Sequence, residues 1–164
     1  MLKKEIQNAL NKQVAMEEHA SRSYLALALW ADEAGFEGAA ALFYKQTEEE
    51  RGHMMKFIKY VLEAGGSPVV SDYGKPLPKP KSFKNLFEIG LEHEKAVTKS
   101  IHAIAEQAWK EKDMATFNFL QWFIAEQVEE EDSFQTILNK FGLIEEHGGS
   151  VYMLDRELAM KAGK

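Results

Sequence analysis

The chain has 164 residues, enough for one domain with a full core, expected to span 1–164, and too few for two large ones. Its 20 Lys and Arg against 26 Asp and Glu give a net charge of -6, which argues against a nucleic-acid partner, since phosphate backbones call for a basic stripe. With no cysteine, disulfides, iron–sulfur clusters and thiolate zinc sites are excluded.

The first predicted helix runs over about 3–34, with Ile6, Leu10, Gln13, Glu17, Ser21, Tyr24 and Ala28 recurring at three- and four-residue steps. The start at Met1-Leu2-Lys3 shows no signal-peptide core, and the longest mostly apolar run, 24–31, is too short to cross a bilayer. A cytoplasmic protein without membrane association is therefore expected. After a turn at Gly35 and Phe36, a second helix over about 37–64 carries Phe43, Thr47, Glu50, His53, Phe57 and Val61 on one face.

A long connection from Gly65 to Ser82 holds all four prolines, Pro68, Pro76, Pro78 and Pro80. Extended at about 3.3 Å per residue it reaches roughly 55–60 Å, more than the ~42 Å of a 28-residue helix. It can therefore run the length of a bundle. The third helix, about 83–110, presents Phe87, Gly90, Glu94, Val97, Ile101, Ile104 and Ala108. The fourth, about 113–141, presents Leu120, Phe123, Gln127, Glu130, Phe134, Ile137 and Phe141. Short joints make each pair antiparallel, and two hairpins linked by one long crossover is the ferritin-like arrangement of an all-α four-helix bundle. Beyond Gly142, Gly148 and Gly149, the residues 150–160 read either as a short fifth helix capped by Ser150, with Val151, Leu154 and Leu158 on one face, or as a partly ordered tail.

In every one of the four long helices the apolar stripe is broken near its midpoint by a carboxylate or its amide: Glu17, Glu50 with His53, Glu94, and Gln127 with Glu130. Burying an ionised carboxylate without a partner is very costly, and a bound cation reverses that cost. Helices of similar length packed side by side bring their midpoints to one height. Glu50-x-x-His53 places a carboxylate and an imidazole one turn apart on one face. Inward carboxylates with Glu-x-x-His are the ligand set of two-metal carboxylate bundles, and oxygen donors with a single imidazole favour iron, manganese or magnesium. One ion would take Glu17, Glu50 and His53, the other Glu50, Glu94 and Glu130, with Glu50 bridging. Tyr24, two turns after Glu17, would hydrogen-bond a ligand carboxylate. Glu48, Glu131 and Asp132 read as a solvated acidic face. Glu49, Glu126 and Glu129 flank the inward ligands and read equally as surface or as an accessory cation site. The residues alone leave open an oxidase with permanent metals and a non-catalytic metal buffer.

Over nearly its whole length the sequence also resembles the bacterial non-haem ferritins. The resemblance is carried by Phe36-Glu37-Gly38-Ala39-Ala40-Ala41, Glu49-Glu50-Arg51-Gly52-His53-Met54, Phe117-Asn118-Phe119-Leu120-Gln121-Trp122 and Glu126-Gln127-Val128-Glu129-Glu130-Glu131. It implies a homo-oligomeric shell of 24 subunits that stores iron, with ferroxidase activity toward Fe(II) using dioxygen or hydrogen peroxide. It places the first iron on Glu17, Glu50 and His53, and the second on Glu50, Glu94 and Glu130 beside Gln127. A third iron falls on Glu49, Glu126, Glu129 and Glu130, and Tyr24 and Trp122 match aromatic residues near the centre. Bacterioferritins, by contrast, repeat Glu-x-x-His on the fourth helix and ligate haem through a methionine where Arg51 stands here. Haem is therefore not expected.

Overall fold

The computed structural model describes residues 2–71, 74–144 and 147–162. The helices are α1 (Lys4–Glu33), α2 (Glu37–Glu63), α3 (Phe83–Lys110), α4 (Met114–Phe141) and α5 (Gly148–Ala162), and no strand occurs among the described residues. Side-chain caps start two of them: Ser82 Oγ accepts from Asn85 N at 3.1 Å for α3, and Asp113 Oδ1 from Thr116 N at 3.0 Å for α4.

Contacts at the ends fix the directions. Leu2 N donates to Ala64 O at 3.2 Å, so α1 and α2 are antiparallel. Phe87 meets Phe141 at one end of the α3–α4 pair and Trp109 meets Phe117 at the other. Phe36 and Phe83 pack with ring centroids 4.4 Å apart, so α3 begins at the end where α2 began, as the long crossover requires. The described residues of the crossover lie along α1, held by polar side chains spaced in whole turns. Gln7 accepts from Ser67 N, Asn11 from Val69 N, and Ser23 from Leu77 N, while His19 Nε2 contacts Lys75 O at 2.8 Å.

The apolar interior divides into two clusters. One holds Leu27, Phe43, Phe83, Phe87, Phe134 and Phe141; the other holds Ile6, Leu10, Phe57, Ile101, Leu120 and Phe123. Between them the polar interruptions occupy the waist of the bundle. Gly90, within the α3 stripe, is required by packing, because a Cβ there would stand 2.4 Å from the Phe134 ring.

The C-terminal segment is a helix, and its buried side chains include Leu154 and Leu158. Asp155 is buried and accepts from Gly38 N (3.1 Å) and Ala39 N (2.8 Å), an anion on the otherwise unpaired donors at the start of α2. A side chain at Gly38 would collide with the Asp155 carbonyl at 1.9 Å, so close docking of α5 depends on that glycine. Ser150 is not the residue preceding the helix. The helix starts two residues earlier, and His147 and Ser150 cap it reciprocally: Ser150 N donates to His147 Nδ1 and His147 N to Ser150 Oγ. No described helix is long and apolar enough to cross a membrane.

Candidate metal centre

Glu17 on α1 and Glu50 and His53 on α2 are all buried, and each offers a ligand atom within 4.8 Å of the other two. They are the one such trio of His, Asp or Glu among the described residues. Ligand atoms about 2.0–2.2 Å from a common ion stand at most ~4.4 Å apart. A contraction of a few tenths of an ångström would therefore close the trio on a cation. His53 Nδ1 lies 3.2 Å from Glu50 Oε2, and its ring packs edge-on against Phe123 and Trp122. Trp122 is partly exposed and carries Lys56 Nζ 3.1 Å from its ring centroid, a cation–π contact at the outer edge of the site.

Two atoms test whether a cation fits. Glu17 Oε2 and Glu50 Oε1 are buried without a hydrogen-bond partner. Native structures rarely leave a buried carboxylate oxygen unpaired, because its desolvation is uncompensated. The two carboxylates face each other, acceptor against acceptor, and a positive ion between them would supply the missing partner to both.

Glu94 on α3 and Glu130 on α4 are buried near enough to Glu50 to act on its charge, but these three do not form a second trio at ligand spacing. Tyr24 OH donates to Glu94 Oε1, and Gln127 Nε2 donates to Glu94 Oε2 at 3.0 Å. Gln127 also reaches Thr98 Oγ1 at 3.3 Å, whose hydroxyl donates to Glu131 at 2.6 Å. Glu130 Oε2 accepts from Gln46 Nε2 at 2.7 Å. Burial raises every one of these carboxyls, and their mutual repulsion adds to it. Glu17 and Glu50 are pushed well above the usual range, Glu94 upward, and Glu130 to about 7. Burial and the charge of Glu94 likewise raise the Tyr24 phenol, which keeps its proton for the bond to Glu94.

The flanking acids are arranged differently. Glu126 Oε1 lies 4.0 Å from His53 Nε2, Glu49 pairs with Lys45 at 3.3 Å, and Glu129 is exposed. With Glu130 they do not form a trio at ligand spacing. Several residues in the waist escape a reading of ligand motifs. Gln13 and Gln46 each sit one turn before a glutamate and each donate to a carboxylate. Thr98 and Ser100 reach across from α3. His93 is buried with Nε2 unpartnered, and burial beside His19 holds its pKa down to about 4.

Comparison with known proteins places the whole chain. A model of the ferritin-like domain matches residues 7–144. A bacterial non-heme ferritin of Campylobacter jejuni is 38% identical over 156 residues, 95% of this chain and 93% of its own. A probable bacterial non-heme ferritin-like protein of Haemophilus influenzae is 37% identical over 158 residues, 96% of each chain. An open-pore ferritin from the hyperthermophilic archaeon Archaeoglobus fulgidus superposes with a TM-score of 0.93 at 39% identity, covering 98% of this chain and 99% of that one. A five-helix fold with a carboxylate-lined waist, matched from end to end by such relatives, belongs to the ferritin family.

Proposed function

We propose that this protein stores iron and oxidises it on the way in, taking Fe(II) into the waist of the bundle and depositing ferric mineral within a hollow homo-oligomeric shell of 24 subunits. The observation that carries the reading is the pair of orphaned oxygens, Glu17 Oε2 and Glu50 Oε1, beside His53. Hard anionic oxygens with one imidazole and no sulfur suit Fe(II) and stabilise Fe(III) more strongly. One Fe(II) takes Glu17, Glu50 and His53. The second takes Glu50, Glu94 and Glu130, with Gln127 and Tyr24 orienting Glu94. Four carboxylates then balance two divalent charges, which removes the repulsion that raises their pKa values. A third iron would take Glu49, Glu126, Glu129 and Glu130, which must draw closer together to share it.

Two Fe(II) ions side by side each give up one electron. Dioxygen accepts the pair with two protons and leaves as hydrogen peroxide, or hydrogen peroxide accepts the pair with two protons and leaves as two water molecules. The ferric ions hydrolyse to mineral and release protons. The protein's part is to hold the two ions at one distance and to compensate charge. Names of the relatives, non-heme ferritin among them, support iron as the substrate.

The test is size-exclusion chromatography before and after aerobic Fe(II) loading, with iron counted per particle and ferric absorbance followed in time. The wild type should elute as a large shell, oxidise the first two Fe(II) per chain rapidly and retain iron well beyond two ions per chain. Glu50→Ala should lose the rapid phase. Undiminished rapid oxidation in that variant, at low iron per chain, would sink the assignment of the centre.

A further inference from the structure

Gln13 lies one turn before Glu17 on α1, is fully buried, and uses both ends of its amide. Nε2 donates to Glu17 Oε1 at 2.8 Å, and Oε1 accepts from Ser100 Oγ on α3 at 2.5 Å. The same carboxylate leaves Oε2 without a partner. A glutamine amide fits its slot in two orientations that exchange oxygen and nitrogen. The reversed one would set an amide oxygen against Glu17 Oε1, acceptor against acceptor, and strip the carboxylate of its donor. The Ser100 proton completes the other end of the productive orientation. Without it, the buried amide oxygen would lose the bond that offsets its desolvation. A hydroxyl donating into the amide oxygen also polarises the N–H that faces Glu17, so the two bonds reinforce each other.

We propose that Ser100 is a positioning residue for the metal centre: through the Gln13 amide it fixes the Glu17 carboxylate so that Oε2 is presented to a divalent cation. The inference rests on the reading of Glu17, Glu50 and His53 as a cation site. A neutral amide is the suitable intermediary. It holds the carboxylate without cancelling the negative charge that attracts the ion, as a lysine or arginine in its place would. Groups one bond behind a ligand in this way typically change metal affinity by about 10–100-fold when removed.

Co(II), which air does not oxidise under these conditions, replaces Fe(II) as the probe. It is titrated into the apo shell by calorimetry, with its visible absorption band as a second readout. Ser100→Ala should weaken the tighter Co(II) site about 10-fold, and Ser100→Thr, which keeps the hydroxyl, should stay within about 2-fold of wild type. Gln13→Met should weaken the site at least as much, and adding Ser100→Ala to it should change nothing further, since the two act as one unit. Circular dichroism and gel filtration establish folding of each variant. An unchanged affinity in Ser100→Ala would overturn the proposal. So would an equal loss in the wild-type and Gln13→Met backgrounds, because Ser100 would then act without the amide. Glu50→Ala separates the two levels: if wild type and Glu50→Ala bind Co(II) alike, the cation site itself is wrong and this inference falls with it. A Glu50-dependent site that ignores Ser100 overturns this inference alone.

Discussion

The two halves of the waist are built from the same residue type and satisfied differently. In the Glu17–Glu50–His53 half, one oxygen of each carboxylate is buried with no partner. In the Glu94–Glu130 half, each carboxylate is met by neutral donors from other helices: Tyr24 and Gln127 on Glu94, Gln46 on Glu130. Unpaired buried oxygens raise the energy of the empty site and are relieved by a cation. Carboxylates already hydrogen-bonded are more stable without one and gain less. On the proposed function, this contrast predicts that the first half loads first and that the second holds its shape with or without a bound ion. On the same reading, an ion in the second half would compete with bonds the protein makes anyway, which suits a site that passes its ion on.

The largest expected effect separates the halves by their stability without metal. Glu50→Gln removes a carboxyl whose ionisation burial and the nearby Glu94 and Glu130 make costly. The apo protein should become more stable by on the order of 1–3 kcal/mol, as replacement of buried charge often does, while tight Co(II) binding disappears. Glu94→Gln removes a carboxylate that Tyr24 and Gln127 already stabilise, so its apo gain should be smaller. Urea unfolding of the two metal-free variants measures the difference. An equal gain from both, or a larger one from Glu94→Gln, would break the distinction between the halves.

The next effect is a pH dependence. Glu130 titrates at about 7 in the folded protein, raised from 4.5 by burial and by Glu94. Below pH 4.5 both folded and unfolded chains carry the proton. As pH rises toward 7 the unfolded chain gives it up while the folded one keeps it, so this contribution to stability falls and is lost as pH passes 7. Between pH 5 and 8 the loss amounts to about 2 kcal/mol. His93, held near 4, acts with the opposite sign, because protonation of the unfolded chain near pH 6.5 lowers stability on the acid side. The difference between wild type and Glu130→Gln isolates Glu130, and it should shrink at acid pH and grow above 7 in favour of the variant. Saturating Co(II) should reverse the trend for the wild type, since the ion binds the ionised carboxylates. Parallel pH curves for the two apo proteins would show that Glu130 does not carry this proton.

The helices were legible because a 3.6-residue period survives its polar interruptions. The stripe that runs Phe87, Gly90, Glu94, Val97 on α3 is buried throughout, glutamate included. The crossover was legible because four prolines and a length matching the bundle leave it one route. The convergence of Glu17, Glu50 and His53 was legible from Glu-x-x-His and a carboxylate at the facing midpoint. The hydrogen-bonded support of the second half was hidden for a geometric reason. Gln46 sits one turn before Glu50, where helical spacing would join the two, yet its amide crosses to Glu130 on α4. Side-chain direction decides that bond, and sequence spacing does not carry it. Gln13 is the opposite case: it stands in the α1 stripe one turn before Glu17 and bonds that neighbour, so treating a second polar interruption as a partner of the first would have found it. The cap of α5 was misplaced because His147, an unusual capping residue, does what Ser150 was expected to do.

The smallest effect probes the satisfied half at one atom. Tyr24→Phe keeps the ring that packs against both Phe43 and Phe134 and deletes only the hydroxyl that donates to Glu94 Oε1. Gln127 still holds Oε2. Loss of one hydrogen bond to a buried carboxylate should cost the apo protein about 1–2 kcal/mol, within the range for bonds to charged groups. It also leaves Glu94 with an unpaired oxygen, the condition that marks Glu17 and Glu50 in the first half. The second Co(II) should then bind a few-fold more tightly and the first unchanged, so the variant makes one half resemble the other. If both affinities stay at their wild-type values while stability falls, hydrogen-bond satisfaction in the empty site does not set the loading order, and the difference between the halves lies in His53 instead.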